Sequence, residues 1–251
     1  MHAIPPWEIA TVALVFFAAG TVKGIAGMGL PAVAIGILGL LMTPGQAAGL
    51  TVIPSLVSNL WQFGAGPSRS RALRRIWPLL LALLIVTPFA TEIIAGGHDD
   101  AAFAGLGTAL LAYGTLGLMR VHFRVGPRAE TWLTAPIGVA TGIVAGASGL
   151  FAVPMVPYLE ALGLERETLV QTIGLAFLVS SLSLGTGLAA HGALTLDQTA
   201  ASALCLIPAL AGMQTGRRIR FTIDRTRFRT IFLAILTLIG LDLLTRGLLG
   251  L

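Results

Sequence analysis

Charged side chains are scarce in this chain of 251 residues, because Asp, Glu, Lys and Arg supply only 11% of it. A soluble domain carries roughly 25% charged residues and needs them to cover its folded surface. Uncharged stretches run over residues 24–68, 101–119, 131–159, 168–196 and 198–216. Each stretch is long enough to cross about 30 Å of hydrocarbon at least once. The shortage of charge therefore predicts a membrane protein.

Cysteine is nearly absent as well. Cys205 is the only one and lies inside an apolar stretch, which excludes a disulfide framework and a cysteine metal site. The four histidines share no metal-ligand spacing, and the sequence contains no Walker A motif for nucleotide hydrolysis. No cluster of His, Asp, Glu or Cys suggests catalysis. We therefore expect no enzyme, no cofactor and no metal site.

Lysine occurs once, at Lys23, so fifteen arginines supply almost all of the positive charge behind the net value of +5. Most of them fall in three short stretches between apolar segments, a topology signal rather than a nucleic-acid footprint. We predict that residues 66–76, 120–130 and 217–229 form cytoplasmic loops of a protein in the cell inner (plasma) membrane. Counting crossings from these loops places both termini outside. Membrane lipid is then a partner, nucleic acid is not, and a homo-oligomer is compatible with the sequence.

Ten apolar segments follow one another along the chain. Their approximate bounds are 8–23, 30–43, 45–65, 77–96, 101–119, 131–149, 151–162, 168–190, 197–216 and 230–250. Two of these segments, 30–43 and 151–162, are short for a membrane crossing. The predicted fold is an all-α polytopic membrane protein with 8–10 membrane segments.

An internal repeat relates the two halves of this pattern. A GxxxGxxG spacing followed by a proline occurs twice, first at Gly20, Gly24, Gly27 and Pro31, then at Gly142, Gly146, Gly149 and Pro154. Downstream of it, Gln46, Ser55 and Ser58 correspond to Gln171, Ser180 and Ser183. When membrane crossings are counted from the predicted cytoplasmic loops, the first Gly-rich hairpin begins outside and the second begins in the cytoplasm. We therefore predict two inverted repeats, 1–125 and 126–251, each with a broken or short helical hairpin plus three transmembrane helices.

The two Gly-rich breaks have a physical meaning inside a membrane. Irregular backbone cannot face lipid, so a break at depth must be buried in protein or line a water-filled cavity. A helix that restarts there presents free N–H groups and the positive end of its dipole, which favour an anion. Pro31 and Pro154 suit the first turn of such a helix. Inverted repeats with interrupted, short segments at matching positions indicate a secondary transporter with a site near the midplane.

These motifs resemble those of the TauE/SafE family, also called the toluene sulfonate uptake permease family. The residues that carry the resemblance are GTVKGIAGMGLP at 20–31 and GIVAGASGLFAVP at 142–154, and the likeness extends over nearly the whole chain. The second motif has Ala147 and Ser148 where the family clusters glycines. The resemblance implies transport, often export, of sulfite, organosulfonates or related small sulfur-containing anions.

Lys23 is the sharpest candidate for contact with an anion, because it lies within the first break rather than in a basic loop. Its alternative role is to extend along a helix end toward the water interface. Glycines and neutral polar residues near the two breaks complete the predicted substrate site. They are Gly24, Gly27, Gly29, Gln46, Ser55, Ser58, Asn59, Gly146, Ser148, Gly149, Gln171, Ser180 and Ser183. Close helix packing and interhelical hydrogen bonds are the alternative roles of these residues.

The leading hypothesis is a secondary transporter that carries a small sulfur-containing anion by alternating access between the repeats, and the resemblance implies that it is an exporter. Two other functions stay open. The chain could be a transporter or channel-like facilitator for another small anion, or a membrane assembly subunit that transports nothing. A dependence of anion flux on Lys23 separates the first hypothesis from the last.

Overall fold

The computed structural model describes residues 5–66, 69–119 and 124–250, and these residues form helices without any strand. Glycine and proline residues divide the apolar sequence into separate helices. In chain order the helices are α1 (Pro6–Ala26), α2 (Leu30–Leu38), α3 (Pro44–Gly64), α4 (Arg69–Ala90), α5 (Glu92–Ala95), α6 (Asp99–Leu118), α7 (Pro127–Ser148), α8 (Met155–Ala161), α9 (Arg166–Ala190), α10 (Leu196–Ile219) and α11 (Arg225–Leu249). The predicted segments correspond to these helices, although α4 begins at Arg69 and α11 at Arg225, before the predicted starts at 77 and 230. The all-α fold is confirmed.

Seven spans in the described ranges are long and apolar enough to cross a membrane, namely α1, α4 with its extension α5, α6, α7, α9, α10 and α11. Helix α3 has 21 residues, the same length as α1, but it carries several buried polar side chains and is less apolar. Helices α2 and α8 have only 9 and 7 residues, so neither can cross a membrane by itself. The chain is thus a polytopic membrane protein with two short helices inside it.

Packing between the halves follows the order of elements. Helix α1 lies against α10. In the predicted repeat α7 corresponds to α1 and α4 corresponds to α10, and α7 lies against α4. The remaining counterparts pack on each other, α3 on α9 and α6 on α11. Exchanging the two halves therefore reproduces the same set of main helix pairs. This arrangement is compatible with the predicted repeat, which stays a prediction.

Small residues allow the close approach of these helix pairs. A Cβ at Gly20 would lie 2.1 Å from the carbonyl oxygen of Ala209, and one at Gly24 would lie 2.4 Å from that of Met213. In the second half, a Cβ at Gly146 would lie 2.4 Å from the Cβ of Ala90. The packing role considered for these glycines is therefore present in the structure.

The two Gly-rich helices end at opposite faces of the helix bundle. Helix α1 ends beside the arginine-bearing end of α10, where Gly24 approaches Arg217. Helix α7 ends beside Ala90, at the end of α4 farthest from Arg69. This geometry is compatible with inverted copies, whereas their orientation in a membrane stays a prediction.

The arginine stretches are mainly helix ends rather than loops. Arg69 to Arg75 occupy the first turns of α4, Arg217 and Arg218 the last turn of α10, and Arg227 and Arg229 the start of α11. The helices extend here because backbone hydrogen bonding continues after the apolar stretch has ended. Arg120 lies outside the described residues, so the structure does not describe that part of the predicted loop 120–130.

Arginines hold the far ends of both short helices. Beyond α8, the Leu162 carbonyl accepts a hydrogen bond of 3.2 Å from Arg75, which also forms a bidentate ion pair with Glu130 at 2.6 and 3.0 Å. Beyond α2, the Leu40 carbonyl accepts a hydrogen bond of 3.3 Å from Arg246. The two short helices are therefore anchored at their outer ends, which leaves the Gly-rich breaks at their inner ends.

Candidate functional site

A cavity of about 890 Å³ opens on the face of the bundle that carries the arginine-rich helix ends. Its inner part is lined by residues of the first break and of α3, including Lys23, Gly24, Gly27 and Ser58. Its volume falls within the range of about 300–1,000 Å³ that small-molecule sites occupy. The cavity places the first break, one of the two predicted sites, against solvent-accessible space.

Lys23 lies at the inner part of this cavity and is only 3% exposed. Its ammonium group donates a hydrogen bond of 3.0 Å to the Ser58 hydroxyl and another to the Asn59 side-chain oxygen. An ammonium group has three N–H donors, so one remains for a ligand. Within the described residues no carboxylate forms an ion pair with Lys23. Lys23 therefore does not extend to the water interface, which was its alternative role.

Asn59 adds a second unused donor beside Lys23. Its side chain is fully buried, and its amide nitrogen has no hydrogen-bond partner among the described residues. A buried amide N–H without a partner costs free energy that a bound acceptor would recover. The third ammonium N–H of Lys23 and the amide N–H groups of Asn59 are thus donors without an acceptor among the described residues.

The first break is built from two glycines with left-handed backbone. Gly27 (φ 82°) ends α1 by donating its N–H to the Lys23 carbonyl, and Gly29 (φ 102°) precedes α2. No heavy atom lies within 4 Å of the place where a Cβ at Gly27 would stand, so this position faces open space. A ligand can therefore approach the backbone closely at Gly27.

Both breaks meet at a second, very small cavity behind the first one. Gly29 and Pro31 line it from the first half, and Leu150 and Phe151 line it from the second. Pro31 stands in the first turn of α2 as predicted. Because the lining of this cavity is largely apolar and aromatic, the start of α2 has little access to a hydrated anion.

The second break is closed by packing. Ser148 caps the end of α7, since its hydroxyl donates to the Val144 carbonyl at 2.6 Å and accepts from the Leu150 N–H at 3.1 Å. A Cβ at Gly149 (φ 72°) would lie 2.9 Å from Ile35 and 3.0 Å from Ala48. Pro154 immediately precedes α8 instead of standing in its first turn. This break therefore serves packing and has no open face like that of Gly27.

The other predicted polar residues lie in three separate places. Gln171 lines the cavity and donates to the Phe63 carbonyl at 2.9 Å. Gln46 caps the start of α3 together with Thr43, at the opposite end of α3 from Asn59. The Ser183 hydroxyl donates to the Leu83 carbonyl at 2.8 Å and joins α9 to α4. The structure thus brings Gln171 to the cavity and assigns Gln46 and Ser183 to helix capping and packing.

Ser55 and Ser180 occupy the middle of the α3–α9 pair. Gly174 packs against Gln62 and Gly185 against Val52, so the two helices run antiparallel and place both serines at a similar level. Both side chains are buried, and neither hydroxyl has a hydrogen-bond partner among the described residues. One unused hydroxyl from each half therefore lies in the middle of the α3–α9 pair.

The remaining residues that line the cavity were not predicted from the sequence. Arg166, Arg217, Arg220 and Arg229 line its mouth, and Tyr113, Phe228, Phe232 and Leu233 line its side. The arginines were assigned to topology because their spacing matches loop positions. The aromatic residues come from α6 and α11, whose apolar sequences do not distinguish a cavity wall from a surface that faces lipid.

The sequence profile of the family described as Sulfite exporter TauE/SafE matches residues 12–243. No curated protein and no solved structure gives a significant match. The matched range includes both Gly-rich breaks, Lys23 and nearly all the helices that surround the cavity. The chain therefore belongs to the TauE/SafE sulfite exporter family.

Proposed function

We propose that this protein is a secondary transporter that exports a small sulfur-containing anion, such as sulfite or an organosulfonate. The observation that carries the proposal is Lys23, a buried ammonium group at the inner part of a large cavity, with no carboxylate partner in the described chain. Removing a charge from water costs several kcal/mol unless a partner compensates it. A bound anion would supply that compensation.

The donors around Lys23 suit an oxyanion. The free ammonium N–H and the unused Asn59 amide can each donate to an oxygen of a sulfite or sulfonate group. Gly27 would let that group approach the backbone. Charged hydrogen bonds of this kind contribute roughly 1.5–3 kcal/mol each.

The cavity is amphipathic, and this property favours an organic anion. Its inner end is cationic, whereas Tyr113, Phe232 and Leu233 form a largely apolar side wall. A sulfonate with a short carbon chain would place its charge near Lys23 and its chain along this wall. Sulfite, which has no carbon chain, would make no use of this wall.

Alternating access would use the duplicated architecture. We take residues 1–125 and 126–251 as inverted repeats that rock about the α3–α9 pair, in the middle of which Ser55 and Ser180 lie. In the present structure the cavity opens on the arginine-bearing face, which the positive-inside rule assigns to the cytoplasm. An exporter would load its anion in this conformation.

Flux through proteoliposomes tests the proposal. The purified protein should carry radiolabelled sulfite or taurine across the bilayer, and Lys23→Ala should reduce the rate about tenfold or more. Arg218→Ala is the matched control, because Arg218 is exposed on the same face but does not line the cavity. It should retain the flux of the original protein.

Each function left open by the sequence predicts a different result. Flux of chloride or nitrate without any sulfur anion would indicate a different anion transporter or a channel-like facilitator. An assembly subunit would give no flux of any small anion. Normal flux in Lys23→Ala would remove the proposed role of Lys23 and leave transport itself intact.

A further inference from the structure

Four arginines line the same cavity as Lys23. Arg166 begins α9, Arg217 and Arg220 lie at the end of α10, and Arg229 lies in the first part of α11. Three different helices therefore deliver guanidinium groups to one opening. Together with Lys23 they make five cationic side chains in the cavity lining, against the two carboxylates of Glu160 and Glu167.

None of these four arginines has an ion-pair partner in the described ranges. The ion pairs found there join Arg75 to Glu130, Arg227 to Asp224 and Arg246 to Asp242. Glu160 and Glu167 line the same cavity but pair with none of the mouth arginines. The mouth thus carries an excess of positive charge, and its arginines form no ion pair within the described residues.

Two of the guanidinium groups are oriented by aromatic rings. The guanidinium of Arg217 lies 5.0 Å from the centre of the Trp61 ring, and that of Arg220 lies 4.5 Å from the Phe221 ring. Stacking on a ring fixes the plane of a guanidinium and leaves its N–H edges free for an oxyanion. The Arg220 Nε is buried and has no hydrogen-bond partner in the described part of the chain.

We propose that Arg220 and Arg229 form a second oxyanion site at the cavity mouth, beyond Arg217, whose backbone lies against Gly24 beside Lys23. Its ligand class is a sulfonate, sulfite, sulfate or phosphate group, because a guanidinium fork binds two oxygens of one such group in bidentate fashion. An anion held at the mouth would be ready to enter when the Lys23 site becomes vacant. The second site shares the cavity of the proposed transport route and in that respect rests on the proposed function.

Binding of radiolabelled sulfite to the purified protein in nonionic detergent tests this site without any transport step. In Arg220→Gln/Arg229→Gln the number of sulfite ions bound per chain should fall by one. In the Lys23→Ala background, the same two substitutions should lower the number of bound sulfite ions by one more than Lys23→Ala alone does. Arg218→Gln, the matched control, should bind as the original protein does.

A conservative variant distinguishes loss of the mouth site from loss of folding. Arg220→Lys keeps the charge and removes the fork, so it should weaken binding at the mouth about tenfold. The oligomer profile on size exclusion should stay unchanged. Equal binding in the original protein, the double Gln variant and Arg220→Lys would overturn the second site.

The same chemistry could come from a free oxyanion or from a lipid phosphate, and nanodiscs distinguish them. In phosphatidylcholine alone, sulfite should bind at both sites. Loss of one ion on adding phosphatidylglycerol, seen only when the mouth arginines are intact, identifies a lipid headgroup as a competing occupant of the same site. Retention identifies a free anion as the occupant.

Failure of the two proposals would look different. If two ions bind but no flux is measured, the transport proposal is wrong and the mouth-site proposal stands. Flux that depends on Lys23, with no change in binding after substitution of the mouth arginines, would keep transport and remove the mouth site.

Discussion

The two Gly-rich breaks share a backbone plan and differ in what surrounds them. The first has Lys23, bonded to Ser58 and near the unused amide of Asn59, and its Gly27 faces open space. At the corresponding places the second break has Ala145 and Leu184, both buried. Its Gly149 packs against Ile35 and Ala48. The first break thus offers unused donors and open space to a ligand, whereas the second is filled by packing.

The two breaks differ in their neighbours rather than in their backbone. Both helices end with a glycine of positive φ because the chain must turn there. The chemistry of each break depends on a few side chains on the neighbouring helices. Anion affinity should accordingly be concentrated on the arginine-bearing side of the cavity.

The largest expected effect concerns the closed break. Gly149→Ala places a Cβ 2.9 Å from Ile35 in a left-handed conformation, which should cost about 2–4 kcal/mol through strain and overpacking. Gly27→Ala meets open space, so only the conformational cost of about 1–2 kcal/mol applies. Thermal unfolding in detergent measures both. A lower Tm for Gly27→Ala than for Gly149→Ala would contradict the contrast between the breaks.

Transplanting the lysine tests whether the second break can form a site. Lys23→Ala combined with Ala145→Lys should remain about tenfold or more below the original flux, because the second break is closed by packing. Proteoliposome flux of sulfite is the measurement, with size exclusion as the check on folding. Recovery of flux in the double variant would show that the two breaks are interchangeable.

The arginines at the far ends of α2 and α8 differ in how much their contacts stabilise the fold. Arg75→Gln removes a bidentate pair with Glu130 and a bond to the Leu162 carbonyl, at a cost of about 1–2 kcal/mol. Arg246→Gln removes an i,i+4 pair on the same helix and one bond of 3.3 Å, at a cost of less than about 1 kcal/mol. The lowering of Tm should be larger for Arg75→Gln. Equal shifts would mean that both anchors contribute alike.

Asn59 offers the smallest change that makes the first break resemble the second. Asn59→Leu copies Leu184 and removes the amide beside Lys23, so the KM for sulfite should rise about threefold to tenfold. Leu184→Met, its control, conserves volume and should leave KM unchanged. An unchanged KM in Asn59→Leu would exclude the amide from the anion site.

Much of the fold could be predicted from the pattern of apolar segments. The bounds of α3, α7 and α9 fall within a few residues of the predicted segments, because glycine, proline and charge interrupt the helices there. Lys23 stood out since a lone cation in a Gly-rich break is unusual. The partners of Lys23 were predicted as candidates only, because Ser58 and Asn59 lie about 35 residues away along the chain.

The structure separated candidates that the sequence had treated as equal. Gln46 and Gln171 occupy matching positions in the repeat, yet only Gln171 lines the cavity. Ser58 contacts Lys23, whereas Ser183 joins two helices. The difference arises because the facing residues, which sequence spacing does not specify, are not duplicated.

By itself the sequence determined that the chain is a membrane protein and where its helices are interrupted, since hydrophobicity, glycine and proline act locally along the chain. The repeat of its two halves stays a prediction from the sequence. Only the tertiary structure decided which break opens into a cavity and which arginines lie at its mouth. Those properties depend on contacts between distant helices, and a difference of a few side chains there separates open space from close packing.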